Sequence, residues 1–377
     1  MNVTEYYLMR KDVEICQFDI EVGQHGGTIA VTVNSIFFPD AMPIAIANGQ
    51  SMKHFLEGRF IPRNRENIRA ILSTLNPNGV IDLQLLLLST RALSLKDDFW
   101  VKETTDNIGW AECNLFDNRF NTRIAHIAFT GYGSGYASGF RSSPEYTTDG
   151  MLRKAWRREA DRIYLYKAGT RGYANAGNEP YSEYFASQVA SHLELSHVSY
   201  ELRSWKKNIC SVCELFTSKE ISFIPAKHYF DMGIRFEETV ANMEKNSQLY
   251  QSISDMIMFD AIIDNSDRHL GNFGVLQNNN TLQVSSELGP IFDNGLSLGW
   301  NLLEVDAASS IEHMQYSMFA RTVALDFIKV FLGDRQRALL RRMIGFKFKR
   351  HHRHNPPAWR IKLMQNMVDA RVRQLLQ

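Results

Sequence analysis

Cysteine is scarce in this chain, and that excludes a disulfide framework. Four cysteines in 377 residues, at positions 16, 113, 210 and 213, are too few to staple a fold of this size. Cys210 and Cys213 have a Cys-x-x-Cys spacing, yet a zinc site needs four ligands and no second Cys or His pair stands near them in sequence. They lie in an apolar run ending at Phe216 and read as half-buried strand residues. Charge of one sign is also lacking. The 42 Lys and Arg stand against 41 Asp and Glu, a formal net charge of +1. Nothing in the bulk therefore demands a polyanionic partner, and nucleic acid is not expected as a direct one. Long apolar runs are missing too: the longest, residues 85–88, falls far short of the ~20 residues that cross a bilayer. Met1-Asn2-Val3-Thr4-Glu5 lacks the basic-then-apolar layout of a signal peptide. A cytoplasmic protein without a membrane association is expected. The 44% apolar and 22% charged residues are ordinary for a globular chain, and the length allows two or three domains.

What is present is concentrated in one stretch. Asp260-Ala261-Ile262-Ile263-Asp264-Asn265-Ser266-Asp267-Arg268-His269-Leu270-Gly271-Asn272-Phe273-Gly274 is answered by Ile291-Phe292-Asp293-Asn294-Gly295. Four residues separate Asp267 from Asn272, the spacing at which a kinase catalytic loop places its base and its metal-binding asparagine. An Asp at a loop tip can accept the proton of an attacking hydroxyl, and an Asn one loop further on can turn its amide oxygen to magnesium. Magnesium prefers oxygen donors in a near-octahedral shell, so a second, harder ligand is needed, and Asp293 supplies it. Residues 273–276 and 282–284 read as strands joined by the polar turn Asn278-Asn279-Asn280. Such a hairpin would bring Asp293 back beside Asn272. A single Asp or Asn in a loop is usually a cap or turn residue; three at this spacing point to phosphoryl transfer.

Phosphoryl transfer also calls for a cation. Ile163, Leu165 and Lys167 share one face of a strand, and a lysine on an apolar face is costly unless an anion meets it. ATP phosphates and a helix glutamate would do so. Residues 178–183 start such a helix, with Pro180 suited to its first turn. Glu183 falls on one face with Ala186, Ala190 and Leu193, so it is the expected partner; Glu179 is the alternative. Both glutamates could instead simply favour the positive end of the helix. For the phosphates, Gly150 in Thr147-Thr148-Asp149-Gly150-Met151-Leu152-Arg153-Lys154 allows a tight turn whose successive N–H groups could form an anion nest. The glycine-rich stretch 131–139 is a weaker signal and reads as a connector.

Asp267-Arg268-His269-x-x-Asn272-Phe273 with the later Phe292-Asp293 resembles the HipA-like serine/threonine kinases. The resemblance implies an α+β, two-lobed protein-kinase-like fold: a small mixed α/β N-lobe, a mainly α-helical C-lobe and an extra N-terminal region. The boundaries expected are 1–90, 91–215 and 216–377. It implies ATP and magnesium as cofactors, with Asp267 catalytic and Asn272 and Asp293 on the metal. Thr148, Asp149, Gly150, Lys154, Lys167 and Glu183 would bind nucleotide, and Glu214 and Phe216 would hold adenine through main-chain atoms at a hinge. It further implies a protein substrate, a neutralising protein partner and self-modification at Thr147 or Thr148. Arg153 departs from the uncharged residue expected in this loop. The order Asp-Arg-His is shared with phosphoinositide kinases, so a phosphoinositide or small-molecule kinase stays open, as does a non-catalytic scaffold. A basic substrate loop would favour the former, but residues 296–318 contain no lysine or arginine.

Outside the site, residues 13–18 and 28–38 favour strands, and Met52, Phe55 and Leu56, then Ile68, Ile71, Leu72 and Leu75, recur at helical spacing. Between them Arg59-x-x-Pro62-x-x-Arg65 matches an element of HipA-like proteins to which no chemical role attaches. Residues 123–129 alternate in part and predict a strand. Residues 320–377 read as two or three helices, with the basic cluster 341–354 as an exposed helix end.

Overall fold

The structure is a computed structural model that describes residues 2–23, 27–76, 81–133, 143–230, 236–306 and 325–377. The tail of the glycine-rich stretch, Ser142 and much of the 296–318 segment lie outside the described residues. The α+β class expected from the sequence is borne out. The chain forms two compact units: Met1–Leu165 with Thr217–Ile224 and Gln277–Gln283, and Tyr166–Phe216 with Pro225–Leu276 and Val284–Gln377.

The first unit is built on a sheet in the order β3-β2-β1-β4, where β1 is Asn2–Arg10, β2 Val13–Val22, β3 Thr28–Ile36 and β4 Phe99–Glu103. All pairs are antiparallel. Strand alternation turns Tyr6, Leu8, Cys16, Phe18 and Ile20 to one buried face. Tyr6 faces Phe18 across the ladder, their rings stacked at 5.6 Å. The helix Met52–Glu57, capped by the Ser51 side chain, packs Met52 and Leu56 into the same core. Each such side chain, when fully buried, contributes roughly 1.5–3 kcal/mol.

Residues 123–129 are not a strand. They lie in the helix Thr122–Thr130, whose start is capped by Asn121 Oδ1 accepting from the N–H groups of Arg123 and Ile124, and whose end is closed by Gly131 at φ +77°. Ile124, Ile127 and Ala128 are buried at helical spacing, and the partial alternation masks that period. This unit also holds β5 (Lys154–Glu159) and the first part of β6 (Arg162–Ala168).

The second unit contains the end of β6 followed across the sheet by β8 (Asn208–Glu214) and β7 (Glu201–Trp205). It also contains the helices Glu179–His192, Gln248–Ile263 and Ala358–Leu376. The strand β9 (Ile221–Pro225) precedes the hairpin of β10 (Gly274–Asn278) and β11 (Val284–Leu288). The second hairpin strand begins two residues later than expected. Asn278 holds a wider turn, its carbonyl accepting from Leu282 N–H and its side chain from Asn280 and Thr281 N–H. The basic cluster is a helix end only at Arg341 and Arg342. Residues 347–354 are irregular, folded around buried His351, whose Nδ1 accepts from Arg353 and His354 N–H and whose Nε2 meets Glu201 at 2.5 Å.

None of the four cysteines is in a disulfide, and all are buried. Burial pushes the Cys16 thiol up to about 11 and those of Cys113 and Cys213 to about 12. Among the described residues, no helix is long and apolar enough to cross a membrane.

Candidate active site

The helix Gln248–Ile263 starts at Ser247, whose hydroxyl caps Tyr250 N–H, and ends at Asp264 in the left-handed region, φ +55°. That turn releases the loop carrying Asp267, Arg268 and Asn272. Arg268 organises it. Its buried guanidinium makes five hydrogen bonds: to Asp260 Oδ2 at 2.9 Å and Oδ1 at 3.0 Å, to the carbonyls of Asn272 at 2.8 Å and Phe292 at 2.5 Å, and to Asn294 Oδ1 at 2.6 Å. One side chain thus ties the helix, the Asp267–Asn272 loop and the 292–294 segment together.

Asn272 is buried, and its Nδ2 donates to the Asp267 carbonyl at 3.0 Å. Its Oδ1 takes no hydrogen bond among the described residues, so the oxygen end of the amide is the end left for a ligand. Asp267 is half-buried. Its carboxyl is raised above the usual range by burial and by Asp293, against His269, Lys167 and Arg268.

Lys167, near the end of β6, is buried and bonds Glu183 Oε1 at 2.6 Å and Asp293 Oδ1 at 2.5 Å. Burial alone would favour the neutral amine; Asp293 and Glu183 outweigh it and hold the ammonium charged. The helix Glu179–His192 delivers Glu183, with Pro180 in its first turn. Burial raises the Glu183 carboxyl, with Lys167 opposing. Its second oxygen accepts the Asn294 N–H at 2.8 Å. Glu179, the alternative partner, turns instead to the Thr170 N–H at 3.2 Å. Asp293 sits at φ +58°, and its N–H donates to the Tyr200 hydroxyl at 3.1 Å. Tyr200 is buried, and burial pushes its phenol well up.

Glu214 ends β8 and is exposed. Phe216, two residues on, sets its ring 5.4 Å from that of Phe292. Lys167, Glu183, Asp267, Asn272, Asp293 and this segment all belong to the second unit.

The turn with Thr148, Asp149, Gly150 and Lys154 belongs to the first unit. Gly150 is at φ +90°, and a Cβ there would collide with Lys154 Nζ. Lys154 folds back over the glycine to bond the Asp149 carbonyl at 2.7 Å, while the Asp149 carboxylate pairs with Lys96. Thr148 donates to the Pro144 carbonyl at 2.6 Å and accepts from Trp156 Nε1 at 2.9 Å. The unexpected Arg153 is buried, 3.4 Å from Glu66 and over the Phe129 ring.

Sequence reasoning gave no role to Arg268, Asp260, Asn294 or Tyr200. An aspartate inside the otherwise apolar run Met256–Ile263 was the available signal for Asp260; Arg268, in the polar stretch 264–269, carried none. Tyr200 left none.

No family model matches the chain. It is similar to the serine/threonine-protein kinase CtkA of Helicobacter pylori, 26% identical over 146 residues, 35% of this chain and 44% of that protein. The match therefore spans less than half of that relative. Among solved structures, the CtkA kinase of H. pylori has a TM-score of 0.46 at 17% identity, covering 60% of this chain and 91% of that one. HipA from a toxin–antitoxin system of Shewanella oneidensis, solved with HipB and operator DNA, has a TM-score of 0.48 at 9% identity, covering 97% and 96%. The sequence match is to a serine/threonine-protein kinase, the class that the residues of the Asp267–Asn272 loop resemble.

Proposed function

We propose that the chain is an ATP- and magnesium-dependent serine/threonine protein kinase of HipA-like type. The observation that carries this reading is the pairing of one buried lysine, Lys167, with both Glu183 and Asp293. A lysine–glutamate ion pair and a metal-binding aspartate must both be in place for protein-kinase phosphoryl transfer. The donor set suits magnesium: the unpaired amide oxygen of Asn272 and the Asp293 carboxylate are hard oxygens. ATP supplies the phosphoryl group. Lys167 offsets phosphate charge, and Asp267 accepts the proton of the substrate hydroxyl. Burial and Asp293 raise the Asp267 carboxyl from its ordinary value, and a raised pKa makes a carboxylate the stronger base.

In this reading residues 91–215 are the smaller lobe, 216–377 the larger and 1–90 an accessory region. Thr148, Asp149, Gly150 and Lys154 bind phosphate, while main-chain atoms of Glu214 and Phe216 hold adenine. The substrate is a protein, and a neutralising protein partner accompanies the enzyme. Self-modification within residues 142–148 belongs to the same reading. Ser143 donates to Glu145 and Thr147 to the Pro144 carbonyl, so the segment must open before either hydroxyl reacts. Radiolabelled ATP with whole-cell lysate, beside an Asp267→Ala control, tests the kinase. Labelled protein bands that vanish with the control are expected, and equal labelling by both would reject it. Mass spectrometry of the same samples decides whether residues 142–148 are modified.

A further inference from the structure

The element Arg59-x-x-Pro62-x-x-Arg65, to which the sequence attached no chemistry, lies against the turn assigned to phosphate. Its far end is fixed: Arg59 makes a bidentate pair with Asp97, both bonds 2.8 Å, and donates to the carbonyls of Ala92 at 2.8 Å and Phe99 at 2.9 Å. Ile61 N–H donates to the Tyr146 carbonyl and Glu66 N–H to that of Met151, each at 2.8 Å. Arg65 stands between them, only 2% exposed. One terminal nitrogen donates to the carbonyls of Asp149 at 3.4 Å and Gly150 at 3.2 Å, and the other to that of Lys154 at 3.0 Å.

Burying a guanidinium is expensive unless it is paired. Here burial pushes Arg65 down to about 10, with Glu145, Asp149 and Glu66 opposing. A buried cation that uses its fork on three carbonyls of one turn fixes the direction of those peptides. In a trans peptide the carbonyl and the following N–H point to opposite sides. Drawing the Asp149 and Gly150 carbonyls toward Arg65 turns the N–H groups of Gly150 and Met151 away from it. Neither N–H donates a hydrogen bond among the described residues. Two adjacent outward N–H groups are what an anion nest requires.

We propose that Arg65 is a positioning residue whose fork holds both ends of the 149–154 turn, keeping the Gly150 and Met151 N–H groups aimed outward to receive phosphate. This rests on the kinase reading for the identity of the anion, though not for the clamp itself. Lysine cannot replace the fork, because a point charge reaches one end of the turn only.

The test uses the full chain with Arg65→Lys and Arg65→Met. Amide hydrogen exchange without nucleotide should speed up tenfold or more in both variants at Glu66, whose N–H is held by the Met151 carbonyl of the turn, with protection in β1 to β4 unchanged. Titration with Mg-ATP should show affinity weakened tenfold or more. In turnover the loss should fall on KM for ATP, with kcat changed less than threefold. Unchanged exchange at Glu66 overturns the proposal. Loss of protection throughout β1 to β4 overturns it as well, since Arg65 would then be a general determinant of the fold. If the unaltered protein binds no Mg-ATP, the kinase reading fails, while the exchange data still decide the clamp.

Discussion

Arg268→Met should both weaken the second unit and abolish nucleotide binding, and the two effects have different sizes. The guanidinium is 1% exposed and its partner Asp260 2%. Removing it takes away five hydrogen bonds and leaves the Asp260 carboxylate with the Asn265 side-chain amide, at 2.9 Å, as its remaining side-chain donor. Breaking a buried ion pair from one side costs about 3–5 kcal/mol, a large share of the roughly 5–15 kcal/mol that holds a domain folded. In urea, with a slope near ~2 kcal/mol per molar, the midpoint should fall by about 2 M. Adding Asp260→Leu removes the stranded charge. Because paired apolar replacement of a buried ion pair is often neutral, the double variant should recover on the order of 2 kcal/mol. It will not recover fully, since the Asn272 and Phe292 carbonyls stay without their donor. Neither variant should bind Mg-ATP, because the loop and the 292–294 segment are no longer tied. Circular dichroism in urea and calorimetric titration read the two effects. A single-variant loss below about 1 kcal/mol, or a double variant that shows no coupling beyond ~0.5 kcal/mol, would refute the organising role of Arg268.

Three further outcomes follow from the same geometry. Asp267→Ala should lower kcat by about 10²–10⁴-fold while retaining Mg-ATP binding, whereas Asp293→Ala should lose that binding; a calorimetric result in the reverse order would exchange their roles. Lys167→Met should remove activity with the fold kept, since Met preserves most of the apolar stem, and full activity would make Lys154 the leading phosphate lysine. Burial, opposed by Arg10, raises the Asp98 carboxyl from 3.8 to about 6. Its folded pKa exceeds its unfolded one, so its contribution is fully present below pH 3.8 and is lost as pH rises through about 6. The loss is roughly 3 kcal/mol. Asp98→Asn should flatten that part of the stability profile, and parallel profiles for the two proteins would contradict it.

The Asp267–Asn272 loop was legible because its information is local: the two residues are separated by a short loop, and their spacing survives as a pattern in one line of sequence. Lys167 and Glu183 were legible for a related reason. Strand and helix periods put each on a buried face, and a buried charge needs a partner. The clamps were not legible. Arg65 reaches carbonyls more than 80 residues away, and a carbonyl is the same whatever residue carries it. β1 also went unseen although its ladder with β2 is local, because Leu8, Met9 and Arg10 are buried in succession and break the alternation. Thr122–Thr130 failed differently: its apolar residues fit a strand in part, and the Asn121 cap and Gly131 stop, both visible in sequence, carried the better signal.

The four buried thiols make the protein its own reporter of opening. Alkylating reagents attack the thiolate, and Cys16, Cys113 and Cys213 are sheltered and held protonated far above neutral pH. Labelling must therefore wait for an excursion that exposes the sulfur. Cys16 and Cys113 lie in the first unit and Cys210 and Cys213 in the second. Timed alkylation read by peptide mass would follow the breathing of each unit separately, in the unaltered chain and without an attached probe.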